Sequence, residues 1–191
     1  IYGTLKPVRT WNPILINFQH LWYLILDAWH TSSILDKLKI WFMPTGWRPK
    51  DVLENYPNNK LKIPDEQIKY NTDNSSLLIL FCWAQLILAL VFMFHLFLVL
   101  HQNEPFFNYL YAIFIFLNVF SYTSLLDNSK LSLYAEILKF LLGVGILQLQ
   151  SFTWFNIGGA PVLLFLIISL FFTILLYLNK QKTFKLTFVN K

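Results

Sequence analysis

The residues able to do chemistry are few and scattered. Four histidines, His20, His30, His95 and His101, supply the imidazoles that a metal site or an acid–base step would use. A metal-binding helix sets two of them at i, i+4 beside an acid, yet no such pair and no HxxHH or HxxxH cluster occurs. Cys82 is the sole cysteine and sits in an apolar run, which excludes an internal disulfide and a cysteine-based zinc site. Its expected role is that of a small buried hydrophobe. No Gly-rich phosphate loop, GxSxG elbow or CxxC pair is present: Gly143 and Gly145 lie inside an apolar segment, and Gly158-Gly159 is expected to turn the chain ahead of Pro161. The sequence therefore offers no catalytic residue set and no metal ligand set of its own.

Single polar residues remain. His95 stands among Phe and Leu, where a neutral imidazole hydrogen-bonded between helices is expected; Gln85 and Asn118 are expected to bond from helix to helix. His20 lies on a polar stripe that could face an active site. Arg48, beside Trp47, has three open roles: gripping an anionic headgroup, stacking on the indole, or holding a carboxylate or helix end.

Those residues need elements to position them. Asn12-Pro13 reads as an N-cap followed by proline in the first helical turn, opening a helix that runs to about His30. Asn17, His20, Asp27, His30 and Thr31 fall within an arc of about 140° on it, opposite a broad apolar face. An Asp and two His make this a poor membrane crossing and a better interfacial or protein-packed helix. Ser33-Ile34-Leu35-Asp36 has capping-box spacing. The short helix it opens places Ile34, Leu35, Leu38, Trp41 and Phe42 on one face, with Asp36, Lys37 and Lys39 elsewhere, as a headgroup-level segment would. A soluble core helix fits the same pattern. Pro44 and Gly46 then stop the helix, and Arg48-Pro49 continue in extended form. Residues 50–76 are polar and rich in Asn, Asp and Pro, and read as a linker with room for one helical turn. Asn74-Ser75-Ser76 matches a glycosylation sequon, which the topology below places in the cytoplasm and so discounts.

Four long apolar segments follow, near 77–100, 106–126, 131–150 and 161–179. Each meets the roughly 20 residues that a crossing needs. The third is weakest, because Glu136 and Lys139 interrupt it; at i, i+3 near one end they are expected to pair and snorkel. Only 13% of the 191 residues are charged, about half the usual share for a soluble domain, so the chain belongs in a bilayer. The net charge of +5 does not point to nucleic acid, because the basic residues are sorted by loop. Nine of the 15 Lys and Arg precede residue 76, Lys130 follows the second segment, and Lys180, Lys182, Lys185 and Lys191 follow the fourth. The loops at 101–105 and 151–160 have none. That alternation predicts four crossings with both ends in the cytoplasm. The fold class expected is an all-α integral membrane protein, with interfacial helices followed by about four transmembrane helices. The chain begins with Ile1 and shows no signal-peptide pattern, so it reads as part of a longer protein.

The runs Ile1-Tyr2-Gly3-Thr4-Leu5-Lys6-Pro7, Trp11-Asn12-Pro13, Asn17-Phe18-Gln19-His20 and Trp41 through Pro49 (WFMPTGWRP) resemble the segment after the last histidine box in the fatty acid hydroxylase/sterol desaturase superfamily, and within it the alkylglycerol monooxygenase-like branch. The resemblance implies a membrane di-iron oxygenase that hydroxylates a lipid, with the iron held by histidine clusters on a cytoplasmic cap and tetrahydropterin as a possible electron source. None of those histidine boxes is in this sequence. The resemblance then makes residues 1–49 the end of the cap, 50–76 a linker and 77–191 a four-helix membrane region with a short basic tail. Tyr2, His20, Trp47 and Arg48 become substrate-facing or cap-packing candidates, and the partners are a membrane lipid substrate, the bilayer and an unidentified electron donor. The implied location is a bacterial inner membrane, or the endoplasmic reticulum in a eukaryote. The alternative is a non-enzymatic multi-pass module for assembly, transport or partner binding, which a polar seam along 131–150 facing a cavity would favour.

Overall fold

The computed structural model describes residues 8–57 and 70–189; Tyr2 and linker residues 58–69 lie outside them. The chain is helical and divides into two compact units, Ile1–Asn71 and Thr72–Lys191.

In the first unit α1 spans Pro13–His30. Its start is local chemistry: Asn12 Oδ1 accepts from the backbone N–H of Ile14 at 3.0 Å and Leu15 at 3.3 Å, and Pro13 presets φ without wasting a donor. Thr31 closes it in extended conformation. Helix α2, Ile34–Lys39, forms only half of the capping box: Ser33 Oγ accepts from Asp36 N–H, while Ser33 N–H donates to Thr31 Oγ1. The helical path carries on past Lys39, because Trp41 and Phe42 N–H donate to the carbonyls of Leu38 and Lys39. Pro44 to Trp47 then make a β-turn closed by Trp47 N–H on the Pro44 carbonyl at 3.0 Å. Its third residue, Gly46, has φ 94°, which a side chain would resist. Helix α3, Lys50–Asn55, occupies the start of the expected linker.

The second unit is an up-and-down bundle of α4 (Ser76–Val99), α5 (Pro105–Leu126), α6 (Leu131–Leu149) and α7 (Gly159–Val189). All four are long and apolar enough to cross a membrane. Their core is layered. Leu78, Cys82, Tyr122, Leu125, Leu176 and Tyr177 fill one end, and Leu96, Tyr111, Phe114, Ile146, Trp154, Phe155 and Leu166 fill the other. Between them lies a layer of buried polar residues. Cys82 is buried with its Sγ on the Tyr122 carbonyl, as a small core residue. At the first end Lys180 Nζ donates to Asn74 Oδ1 and to the Leu126 carbonyl, tying the approach to α4 and the end of α5 to α7. Where α6 passes α7, an added Cβ on Gly143 would lie 2.7 Å from Leu166 Cδ1, so the glycine permits that approach.

The loop after α6 departs from expectation. Thr153-Trp154 (β1) pairs antiparallel with Ile157-Gly158 (β2), and the turn is Phe155-Asn156 rather than Gly158-Gly159. Both turn residues are left-handed, at φ 46° and 71°, as a two-residue hairpin requires. Asn tolerates that conformation; Phe does not, and its burial at 1% exposure, with its N–H on Gln150 Oε1, holds it there. The hairpin thus plugs Trp154 and Phe155 into the end of the bundle. Gly159 starts α7 with no room for a side chain, since a Cβ would sit 2.5 Å from the Phe152 carbonyl oxygen. We expect Gly159→Ala to cost about 1–3 kcal/mol by overpacking and to loosen the plug. Acrylamide quenching of Trp154 in a background lacking the other tryptophans would rise; unchanged quenching would show that the hairpin does not depend on that contact.

Candidate functional site

The substrate-facing or cap-packing candidates that the structure describes, His20, Trp47 and Arg48, fall in the first unit. Asp27, in the last turn of α1, and Arg48, just after the Gly46 turn, form a two-pronged pair: Nε to Oδ2 at 2.6 Å and Nη2 to Oδ1 at 2.7 Å. Arg48 Nη1 also donates to the Tyr56 carbonyl at 3.0 Å, beyond the end of α3. The planar guanidinium fork fits this use, binding three points at fixed angles. Of the open roles for Arg48, holding a carboxylate is the one the geometry displays. Beside it the Asp51 carboxylate accepts from the hydroxyls of Thr31 and Ser32 and from the N–H groups of Ser32 and Val52. His30 stacks on Tyr56 with ring centroids 4.1 Å apart. Two carboxylates therefore fasten the end of α1 to the turn and to α3.

Trp47 is half-buried and, with Arg48, Ser32, Asp36, Lys50 and Asp51, lines a shallow open groove. His20 is exposed on α1, about 10 Å along the axis from Asp27 and on the same face, since seven residues make nearly two turns. Tyr2 lies outside the described residues. Sequence reasoning placed Asp27 on the polar stripe but did not pair it with Arg48, which is 21 residues away. Asp51 falls in the stretch that the sequence marks as linker.

The Asp51 contacts have a pH consequence. The Ser32 backbone N–H, with the two hydroxyls and the Val52 N–H, holds its carboxyl below the ordinary 3.8, against a smaller opposing effect of desolvation. A depressed folded pKa means that the stabilising contribution is complete above the ordinary value and is lost as pH falls through the folded one. Protection of the Ser32 and Val52 amides, read as exchange relative to the intrinsic rate at each pH, is then expected to fall as pH drops below about 4. Asp51→Asn should lack that protection at pH 7 and show a weaker acid dependence; equal protection of the two proteins at pH 7 would contradict this role.

The second polar constellation is the layer inside the bundle. Lys139 Nζ lies 2.7 Å from Glu136 Oε1 and donates to Asn118 Oδ1 at 3.0 Å and Ser169 Oγ at 2.7 Å, with the Phe165 ring 5.0 Å away. Three acceptors match the three N–H groups of an ammonium. Ser121 Oγ donates to Glu136 Oε2 at 2.6 Å, Gln85 Nε2 donates to Ser169 Oγ at 2.8 Å, and Asn118 Nδ2 reaches the Gln85 carbonyl at 3.4 Å. Gln85 and Asn118 thus bond between helices, as expected, and so does His95, whose Nδ1 is 3.0 Å from the Tyr111 hydroxyl. Glu136 and Lys139 do pair, but they do not snorkel: they are 1% and 0% exposed. Partners on α5 and α7 satisfy the charges where they stand, so neither side chain has to reach an interface. The layer braces four helices. Its one unpartnered side-chain atom clear of the ion pair is Gln85 Oε1.

Among the described residues no three His, Cys, Asp or Glu side chains converge, so these residues do not fit an iron ion. No family model matches the chain, and no solved structure matches it. Among curated proteins it is similar to an alkylglycerol monooxygenase from Homo sapiens, 25% identical over 92 residues, which are 48% of this chain and 21% of that protein. The match spans about a fifth of the length of that relative.

Proposed function

We propose that this chain is the C-terminal portion of a membrane-bound di-iron lipid oxygenase of the sterol desaturase/fatty acid hydroxylase type, acting on an O-alkylglycerol ether or a related membrane lipid. The observation that carries the proposal is the similarity to alkylglycerol monooxygenase over 48% of the chain, joined to four helices long and apolar enough to span a bilayer. The described residues offer no iron site, so on this proposal the ligands are histidine clusters encoded ahead of Ile1, and tetrahydropterin or another donor supplies electrons. Arg48, Asp27 and Asp51 then serve as bracing at the edge of the cap. His20 and Trp47 stay available to a substrate, one exposed and one lining the groove.

The basic loops support a cytoplasmic position for residues 1–76 and for the C-terminal tail. That arrangement suits a cytoplasmic reductant, in a bacterial inner membrane or the endoplasmic reticulum. The alternative, a non-enzymatic multi-pass module, calls for a polar seam along α6 facing a cavity; the polar layer there is closed by its own contacts and does not favour it.

The test uses the protein with the residues encoded ahead of Ile1. We expect bound iron, and aldehyde release from an alkylglycerol that requires both O2 and tetrahydropterin. An upstream sequence without clustered histidines, or a purified protein with no iron and no lipid-dependent O2 uptake, would sink the proposal. Reporters placed after Lys191 and within 151–160 should read opposite sides of the membrane; the same side for both would remove one crossing.

A further inference from the structure

Helix α2 is inside out for a helix packed on its own domain. Ile40 is 3% exposed and faces inward, whereas Ile34 is 76%, Leu35 68%, Leu38 62% and Phe42 85% exposed. These residues and Trp41 stand at i, i+1, i+4, i+7 and i+8, and the hydrogen bonds that extend the helical path to Phe42 keep them on one stripe. Large side chains contiguous on one exposed face mark a surface that meets something apolar.

The charges around the stripe say what that is. At 100° per residue, Lys37 and Lys39 fall on opposite flanks of the stripe, each about 100° from its centre, and Asp36 falls on the far side. Both lysines are exposed, and among the described residues the ion pairs are Arg48–Asp27 and Lys139–Glu136, so neither lysine is engaged in one. A cation on each flank of an apolar stripe lets both ammonium groups rise to phosphate level while their stems and the stripe lie among acyl chains. Trp41, near the end of the stripe, is a ring type enriched at that depth, and Phe42 beside it suits the apolar face of an interfacial helix. A groove on a protein would have no need of cations on both flanks. The bilayer is also within reach, because the same chain enters membrane-spanning helices from Ser76 onward.

We propose that the Ile34–Phe42 face is a docking surface for an anionic lipid bilayer, with Ile34, Leu35, Leu38, Trp41 and Phe42 below the headgroups and Lys37 and Lys39 among them. It stands apart from the oxygenase proposal and holds whether or not the full protein is an enzyme.

The test uses the full chain with Cys82→Ser, reconstituted in nanodiscs of phosphatidylcholine with or without phosphatidylglycerol. Nitroxides are attached at Leu38→Cys or Phe42→Cys, with Glu54→Cys on α3 as an exposed control. We expect the labels at 38 and 42 to collide preferentially with O2 over a nickel chelate, and the control to show the reverse. Added phosphatidylglycerol should deepen the 38 label, and Lys37→Glu with Lys39→Glu should shift it toward water. Labels open to the nickel chelate would overturn the proposal by placing the face in water. Labels closed to both reagents would overturn it by placing the face against protein. Immersion unaffected by phosphatidylglycerol and by the lysine reversals would overturn the anionic assignment.

Discussion

Lys139→Met is expected to lower the stability of the four-helix unit by about 3–5 kcal/mol, the usual cost of removing one partner from a buried ion pair. Met nearly matches the volume of lysine, so the loss is electrostatic. The Glu136 carboxylate would keep only Ser121 as a side-chain donor, in a layer where it is 1% exposed. The neutral bonds of the same layer are worth far less, about 0.6 kcal/mol each in membrane interiors. Gln85→Leu, which removes the bond to Ser169, should therefore be mild by comparison. The double variant Glu136→Gln, Lys139→Met removes both charges and should recover most of the loss. Reversible unfolding in mixed micelles with increasing SDS would rank the three. A Lys139→Met protein no less stable than Gln85→Leu would mean that the ion pair does not hold the bundle.

Arg48→Lys is expected to destabilise the first unit by about 2–3 kcal/mol, in line with losing charge-assisted hydrogen bonds at a nearly buried site. An ammonium is a point donor. It cannot meet both Asp27 oxygens and the Tyr56 carbonyl from one position, as the guanidinium does at 2.6, 2.7 and 3.0 Å. Because that pair ties α1 to the turn and to the residue beyond α3, amide exchange should speed up through 47–56 and leave the four-helix unit unchanged. If Arg48 served chiefly to grip a phosphate headgroup, lysine would substitute well and exchange would not change. That outcome would return Arg48 to the substrate-facing role.

Much of the fold was legible because its signals are local. Asn12-Pro13 names the start of α1, because cap and proline act within four residues. The four spans follow from hydropathy and fall within two residues of the apolar spans found, although α7 runs on to Val189, ten residues past the expected end. The site was less legible. Nothing near Arg48 in sequence says that its carboxylate is Asp27, since that contact is made by the fold. Glu136 and Lys139 look like a flaw in an apolar run until α5 and α7 bring Ser121, Asn118 and Ser169 to them. The hairpin at 153–158 was hidden for a similar reason: a left-handed Phe155 makes sense only once the aromatic end of the bundle holds its ring.

The polar layer also fixes the register of the helices. An axial slip of α6 by one turn would move Lys139 Nζ by about 5.4 Å. Asn118 on α5 and Ser169 on α7 would then fall out of its reach, and the ammonium would arrive among the apolar side chains that fill the two ends of the core. Apolar faces alone would tolerate such sliding, because one leucine-rich surface matches another at many offsets. With one cation answered from three helices, a single vertical alignment satisfies every partner, and the bundle is indexed at mid-depth as a key indexes a lock.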